Sequence, residues 1–152
     1  MNIFLYVILD KFFFKILPQK KFELGKGMVI RYTLIEIKWL FSIYFHQIKT
    51  FAQDRFHTHA FNARVLILRG GYKDLIKDGI GINKPTKIVE FNAGDYRHIP
   101  RGLNHKLLQA KENTVSLLIT GSYSNLWTEE TDDGILRILT KGRTPIYEIK
   151  MN

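Results

Sequence analysis

Two histidines separated by one residue, His57 and His59, have the types and spacing in this chain that most directly suggest chemistry. On a β-strand, side chains at positions i and i+2 point to the same face and lie about 6.6 Å apart along the strand. Two neutral imidazoles placed in this way can share one metal ion at about 2.1 Å. The pair therefore predicts two ligands of a metal site but does not identify the metal.

A third histidine follows a turn signal later in the chain. Residues 94–105 contain a short strand, a Pro-x-Gly turn at 100–102 and a histidine at the start of the next strand. The turn reverses the chain, so we expect it to direct His105 towards His57 and His59. The three histidines predict one divalent transition metal (Fe, Ni, Mn or Zn), and a pocket without metal is the open alternative.

Both segments resemble the sequence motifs of the cupin superfamily. The first motif is Gly, five residues, His-x-His, three or four residues, Glu, six residues and Gly. Its matches are His57, His59 and Gly71. The second motif is Gly, five residues, Pro-x-Gly, two residues, His, three residues and Asn, and its matches are Gly94, Pro100, Gly102 and His105, with Gln109 in place of the asparagine. The resemblance implies an all-β fold, a single antiparallel jelly-roll β-barrel that holds the site.

Two positions depart from the first motif. Phe51 replaces the opening glycine, and Arg64 stands where the carboxylate ligand is expected. A guanidinium does not bind a metal cation, so a four-ligand site is not supported. The resemblance then implies a three-histidine site, similar to that of cysteine dioxygenase, or a metal-free pocket in which Arg64 binds an anion. We expect Arg64 to point into the pocket and Arg101 to be a second anion-binding residue.

A closer resemblance is to small uncharacterised cupin-like proteins of bacteriophages and bacteria. They carry Tyr-Leu-His, Asp-Arg-x-x-His-x-His-Pro-Trp, Leu-Arg-Gly-Gly-Tyr, Thr-Gly and a later Trp. The matches here are residues 44–46, 54–59, 68–72, 120–121 and Trp127, with Ala60-Phe61 in place of Pro-Trp. This resemblance implies a fold and a site but no reaction, and its phage association adds a virion component as an alternative.

Four further side chains are weaker candidates. If Tyr96 and His98 share the inward face, His98 is a candidate fourth ligand or catalytic base and Tyr96 a candidate catalytic partner. His46 is a candidate ligand or a support for one, and Arg55 is expected at the rim of the pocket. Each of these residues also has an ordinary structural role in a barrel wall or turn.

Many short strands would position these residues. From residue 26 onward, apolar and polar residues mostly alternate, which indicates strands punctuated by Gly and Pro. Residues 127–134 contain four carboxylates and are predicted to form a solvated loop or a short helix. The predicted strands are 28–39, 41–48, 57–68, 72–76, 87–91, 96–99, 105–109, 115–120, 135–139 and 146–149.

The length of 152 residues favours one domain. We expect residues 1–25 to form an N-terminal arm or edge strand and residues 26–152 to form the barrel. The apolar run 3–9 is too short to span a bilayer, which takes about 20 residues, and no basic segment precedes it. The sequence therefore predicts neither a membrane span nor a signal peptide.

Composition narrows the function classes. The chain has no cysteine, which excludes disulfides, thiolate zinc sites and cysteine nucleophiles. The net charge is +9, but the lysines are scattered and the only adjacent pair is Lys20-Lys21. A nucleic-acid partner is therefore not favoured.

Three functional hypotheses follow. The first is a metal-binding cupin enzyme, a dioxygenase or isomerase on a small acid, located in the cytoplasm of the host cell. The second is a non-enzymatic structural or interaction protein, either a homo-oligomer or a virion-associated component, since one fold can serve many functions. The third is an enzyme similar to sugar-nucleotide epimerases, which needs a base histidine, an acid tyrosine and basic contacts for phosphate.

Overall fold

The computed structural model describes residues 21–24, 29–49, 53, 55–140 and 144–151. Within these residues the regular elements are all β-strands, and no helix is long and apolar enough to cross a membrane. The strands are β1 (Lys21–Leu24), β2 (Val29–Ile37), β3 (Phe41–Ile48), β4 (Phe56–His57), β5 (Ala63–Arg69), β6 (Gly71–Lys77), β7 (Thr86–Asn92), β8 (Tyr96–Ile99), β9 (Asn104–Ala110), β10 (Thr114–Thr120), β11 (Trp127–Glu130), β12 (Ile135–Thr140) and β13 (Thr144–Lys150).

The strands form two antiparallel sheets. The six-stranded sheet has the order β1-β2-β3-β10-β5-β8, and the seven-stranded sheet has the order β13-β12-β11-β4-β9-β6-β7. Neighbours such as β3 and β10, or β4 and β9, are distant in the sequence, so the chain passes back and forth between the sheets. This connectivity is that of a jelly roll, and the predicted fold class, an all-β antiparallel barrel, is confirmed.

The core lies between the sheets and is built by simple alternation. Along β5, Ala63, Val65 and Ile67 are buried while the intervening residues face outward. Burial of a side chain such as valine or isoleucine contributes about 1.5–3 kcal/mol. The buried cluster consists of Tyr44, Ile48, Ala63, Val65, Ile67, Tyr72, Ile99, Ala110 and Leu118.

A glycine turn carries the chain from the six-stranded sheet to the seven-stranded sheet between β5 and β6. Gly70 has a φ of +73°, and a Cβ there would lie 2.4 Å from Thr114 Oγ1 and 2.9 Å from Thr114 Cα. Only glycine fits without displacing β10. After this turn β6 pairs with β9, and this pair carries part of the site described below.

Several predicted strand boundaries match the structure, and two predictions were wrong. The predicted strands 41–48 and 96–99 have the observed limits of β3 and β8. The predicted strand 57–68 is interrupted, because β4 ends at His57 and the chain crosses to the other sheet before β5 begins at Ala63. The predicted loop or helix at 127–134 starts instead with β11, which pairs with both β4 and β12.

The N-terminal arm was predicted to include residues 1–25. Four of them, Lys21–Leu24, form β1 at the edge of the six-stranded sheet, where they pair with β2. Residues 1–20 lie outside the described residues, and the boundary at residue 25 stays a prediction.

Candidate metal centre

Backbone hydrogen bonds in the seven-stranded sheet bring the histidines together. β4 is only two residues long, and His57 lies directly opposite His105 of β9. The chain just after β4 is held on both sides: the Thr58 N–H donates to the Thr128 carbonyl at 3.0 Å, and the His59 N–H donates to the Arg101 carbonyl at 3.2 Å. These bonds fix His59 beside the other two histidines although it lies beyond the end of the strand.

The three imidazoles form one compact group. The ring of His57 lies 5.0 Å from that of His59 and 4.7 Å from that of His105, centroid to centroid, and the rings of His59 and His105 are 5.1 Å apart. One ring nitrogen from each residue lies within 4.8 Å of the others. The spacing predicted from the sequence is therefore realised as a cluster of potential ligands.

The distance between the facing nitrogens of His59 and His105 can be compared with the separation of two ligands on one metal ion. Their Nε2 atoms are 2.8 Å apart, a hydrogen bond that needs one proton between two nitrogen lone pairs. Two imidazole nitrogens that bind the same ion at about 2.1 Å lie roughly 3.0–3.4 Å apart. An ion can thus replace the proton after an opening of a few tenths of an ångström, and the donor set fits a divalent transition metal.

A buried carboxylate orients His105. Both Asp74 oxygens lie 2.9 Å from His105 Nδ1, and Asp74 is fully buried on β6. Because a carboxylate only accepts, Nδ1 carries the proton and Nε2 offers its lone pair to the cluster. The Arg97 guanidinium donates to the same carboxylate, so the negative charge of Asp74 is balanced without a contribution from His105.

Burial and neighbouring positive charges lower the pKa of two interior histidines, His59 and His46. Burial holds the pKa of His59 well below its usual value, and the neighbouring His57, His105, Arg97 and His46 lower the pKa further. His46, on the inner face of β3, has its pKa lowered to about 4 by burial and by Arg31. Neutral imidazole is the form that binds metals, so His59 is ready to act as a ligand at neutral pH.

Aromatic side chains connect the cluster to the six-stranded sheet. The ring of Phe61 lies 5.2 Å from that of His59 and 4.5 Å from that of Tyr123. The Tyr123 hydroxyl is 2.9 Å from the Tyr44 hydroxyl, which also donates to Glu36 at 3.1 Å. Burial raises the pKa of Tyr44, so its hydroxyl stays protonated.

Three candidate residues lie on the opposite side of the six-stranded sheet from the histidines, and the expectation of an inward Arg64 was wrong. Ala63 is buried at the start of β5, so Arg64 faces outward by alternation, and no irregularity turns it back. On β8, Tyr96 (59% exposed) and His98 are likewise outward. Arg64 and Tyr96 line a groove on this outer face, where neither they nor His98 can contact the cluster.

Arg101 lies at the surface, whereas Arg55 is half-buried beside β4. The Arg101 guanidinium donates to the Ser122 carbonyl at 3.0 Å, and its backbone N–H donates to Asn62 Oδ1 at 2.8 Å, so the residue ties loops together. Arg55 lies 3.4 Å from Glu129, whose backbone is opposite His57. This ion pair lies on the inward side of β4 and β11.

Sequence reasoning missed Asp74 and Arg97. The signal for Arg97 was alternation: Arg97 and Ile99 are the buried residues of β8, and the sequence alone does not say which of two alternating faces is inward. The signal for Asp74 was a lone carboxylate between Tyr72 and Ile76 on the buried face of β6. A single acidic residue in an apolar strand face needs a partner, and here it has two.

Comparisons with known proteins identify the fold. No protein-family model matches the chain, and no curated protein matches it. A candidate mannose-6-phosphate isomerase from Ralstonia eutropha matches with a TM-score of 0.54 at 18% identity, over 65% of this chain and 89% of that one. KdgF from Halomonas sp. matches with a TM-score of 0.52 at 8% identity, over 68% and 87%. A variant of Streptomyces PAC13 with uridine matches with a TM-score of 0.51 at 8% identity, over 69% and 78%.

At these identities the likeness concerns the fold alone. The similar structures are cupin-fold proteins, and the two sheets and their connectivity agree with that fold. The chain therefore has the jelly-roll barrel of the cupin fold.

Proposed function

We propose that this protein binds one divalent transition metal ion through His57, His59 and His105 and acts as a small metalloenzyme, a dioxygenase or an isomerase on a small acid. The observation that carries the proposal is the set of three ring nitrogens within 4.8 Å of one another. Three neutral imidazoles leave coordination positions open, and Fe, Ni, Mn and Zn all accept such ligands.

The metal would supply Lewis-acid chemistry and open positions for a substrate. The protein contributes the orientation: Asp74 keeps the proton of His105 on Nδ1, so Nε2 stays available to the ion. Phe61 packs on the His59 ring, and Tyr123 packs on Phe61. Each of these roles belongs to a residue whose contacts are fixed by the fold.

The anion-binding role proposed for Arg64 passes to Arg31. Arg31 lies opposite His46 in the pairing of β2 with β3 and faces the interior. Its guanidinium stacks on the Tyr44 ring at 4.7 Å and lies 3.9 Å from Glu36. The carboxylate of a small acid bound beside His46 would share the Arg31 guanidinium with Glu36.

Metal titration tests the proposal directly. We expect protein purified without a histidine tag to bind nickel or zinc in calorimetry with micromolar affinity or tighter, on the order of 8 kcal/mol. His105→Ala removes the ligand from the second strand, and we expect the affinity to fall by at least about a hundredfold, more than the loss of a residue behind a ligand. His98→Ala is the matched control, because His98 is exposed on the outer face.

Equal, weak binding by the wild type and His105→Ala would contradict the proposal. That result would favour the alternative, a non-enzymatic structural or interaction protein that is virion-associated or self-associating. Exposed apolar residues on the outer face of the six-stranded sheet, Leu66, Tyr96 and Ile119, support this alternative. The epimerase hypothesis is not carried further, because His98 and Tyr96 face away from the interior.

A further inference from the structure

A second buried polar cluster lies on the face of the seven-stranded sheet that is turned away from the histidines. Its members are Lys77 at the end of β6, Asn104 at the start of β9 and Glu130 at the end of β11. They are 6%, 2% and 3% exposed. A lysine and a glutamate are almost never buried to this extent without a specific partner.

The three side chains meet at one carboxylate. Lys77 Nζ donates to Glu130 Oε1, and Asn104 Nδ2 donates to Glu130 Oε2 at 3.0 Å. Asn104 Nδ2 also donates to the Gly79 carbonyl at 2.9 Å. Both neighbours of Nδ2 are acceptors only, so the orientation of the amide is fixed by the network.

The strand register brings the amine and the carboxamide within reach of each other. Lys77 and Asn104 are directly opposite in the pairing of β6 with β9. Cβ atoms of such antiparallel partners are about 4.5–5.5 Å apart. Both side chains bond to the same carboxylate, Lys77 to Oε1 and Asn104 to Oε2 of Glu130, so the amine and the carboxamide share one partner on adjacent strands.

Water has little access to this cluster. The Phe56 ring centroid is 4.5 Å from Lys77 Nζ. The loop that follows β6 reaches Asn104 through its Gly79 carbonyl. Glu130 is the carboxylate that contacts the Lys77 nitrogen, so it is the group placed to take a proton from that amine.

We propose that Lys77 and Asn104 become joined by an intramolecular isopeptide bond. Glu130 accepts a proton from the Lys77 ammonium, and the neutral amine attacks the side-chain carbonyl carbon of Asn104. A bond forms between Lys77 Nζ and Asn104 Cγ, and the bond between Cγ and Nδ2 breaks. The leaving nitrogen takes one proton back from Glu130 and one from the attached amine and departs as ammonium, so Glu130 ends as a carboxylate again. No oxidant, reductant or cofactor is consumed.

The neighbouring Lys106 shows why Lys77 is the reactive lysine. Lys106 also lies over the Phe56 ring, at 4.9 Å, but its ammonium bonds to the exposed Asp132 at 3.3 Å. Its partner is a solvated carboxylate in a turn, whereas the partner of Lys77 is buried and also holds Asn104. Lys106 therefore provides a matched control.

The bond would lock the same two strands that orient the histidine cluster. Asn104 directly precedes His105 on β9, and Lys77 lies three residues after Asp74 on β6. The cross-link does not require a metal, so it holds or fails independently of the metal proposal.

Mass spectrometry of the intact, full chain tests the bond. We expect the wild type to be lighter than its sequence mass by about 17 Da, the mass of one ammonia. Lys77→Met and Glu130→Gln should have their full sequence masses, and Lys106→Met should keep the loss. Asn104→Asp should lose about 18 Da, because water then leaves in place of ammonia.

A tryptic digest locates the link. Succinimide formation at another asparagine gives the same mass loss, so we expect fragmentation to show a branched peptide that joins residue 77 to residue 104, with no cleavage after Lys77. A wild type at its full mass after prolonged incubation at neutral pH, or a mass loss at any other site, would overturn the proposal. The digest of the wild type decides this even if a variant fails to fold.

Discussion

The two faces of the β6–β9 pair carry two buried polar clusters of different character. On the inner face, Asp74 joins His105 to Arg97, and the imidazole nitrogens of the cluster share a single proton between His59 and His105. On the outer face, the lysine, asparagine and glutamate of the second cluster end on one another. Both clusters are buried and both balance their charges.

The two clusters differ in the functional groups that remain available for binding or reaction. The inner cluster ends in imidazole nitrogens that can accept an ion, whereas the outer cluster has an amine and a carboxamide held on one carboxylate. Burial of polar groups alone is a poor guide to function, because structural ion pairs are buried as well. The two clusters differ in the groups at their ends. Imidazole lone pairs make the inner cluster a candidate binding site, whereas an amine and a carboxamide on one carboxylate make the outer cluster a reactive or a structural group.

The largest expected effect comes from breaking the charge balance of the inner cluster. Arg97→Met leaves the fully buried Asp74 without its permanent cation, and we expect a loss of about 3–5 kcal/mol in the free energy of unfolding. Arg137→Met is the control, because the pair of Arg137 with Glu148 is partly exposed to solvent and should contribute less than about 1 kcal/mol. Urea denaturation of both variants measures the contrast, and equal losses would contradict it.

Asp74 is expected to affect metal binding through His105. Asp74→Asn keeps a similar shape but weakens the hydrogen bond that holds the Nδ1 proton, and we expect the nickel affinity to fall about 10- to 100-fold. Asp132→Asn makes the same chemical change at an exposed carboxylate bonded to Lys106 and should leave the affinity unchanged. Calorimetry on folded variants measures both affinities. An unchanged nickel affinity for Asp74→Asn would contradict the role of Asp74 in orienting His105.

His46 lies on the inner face without a carboxylate partner, in contrast to His105. The pKa of His46 is lowered to about 4 in the folded state. Below about pH 6.5, His46 therefore binds a proton in the unfolded chain but stays neutral in the folded protein. The free energy of unfolding is therefore not reduced by His46 above about pH 6.5, and protonation of the unfolded chain reduces it progressively as the pH falls from 6.5 towards 4. Between pH 7 and pH 5 we expect wild type to lose about 2 kcal/mol more than His46→Asn. Equal pH dependence of unfolding would contradict the lowered pKa.

The smallest effect is expected at Arg64. Its side chain faces outward from β5, so Arg64→Ala should change the free energy of unfolding by less than about 0.5 kcal/mol and leave metal affinity unchanged. A clear loss of metal or carboxylate binding in this variant would show that Arg64 takes part in the pocket and would contradict its outward placement. The same titrations used for Asp74→Asn provide the measurement.

Much of the fold could be predicted from local sequence because alternation and turn residues are local signals. The limits of β3 and β8 follow from period-2 patterns bounded by turns. The position of His105 at the start of a strand follows from the Pro-x-Gly turn before it. In contrast, the acidic stretch at 127–134 was predicted as solvated, because its pairing with β4 and the burial of Glu130 depend on strands far away in the sequence.

The sequence by itself determined the all-β class, the strand–turn–strand unit that ends in His105 and the His-x-His pair, because each depends on residues close together in the chain. Only the tertiary structure decided which face of each strand is inward, which placed Arg97 inside and Arg64, Tyr96 and His98 outside. It alone brought Asp74 to His105, and Lys77 to Asn104 and Glu130. The physical reason is that a two-residue period specifies that neighbours differ but not which of them is buried, and that choice is made by the packing of the two sheets.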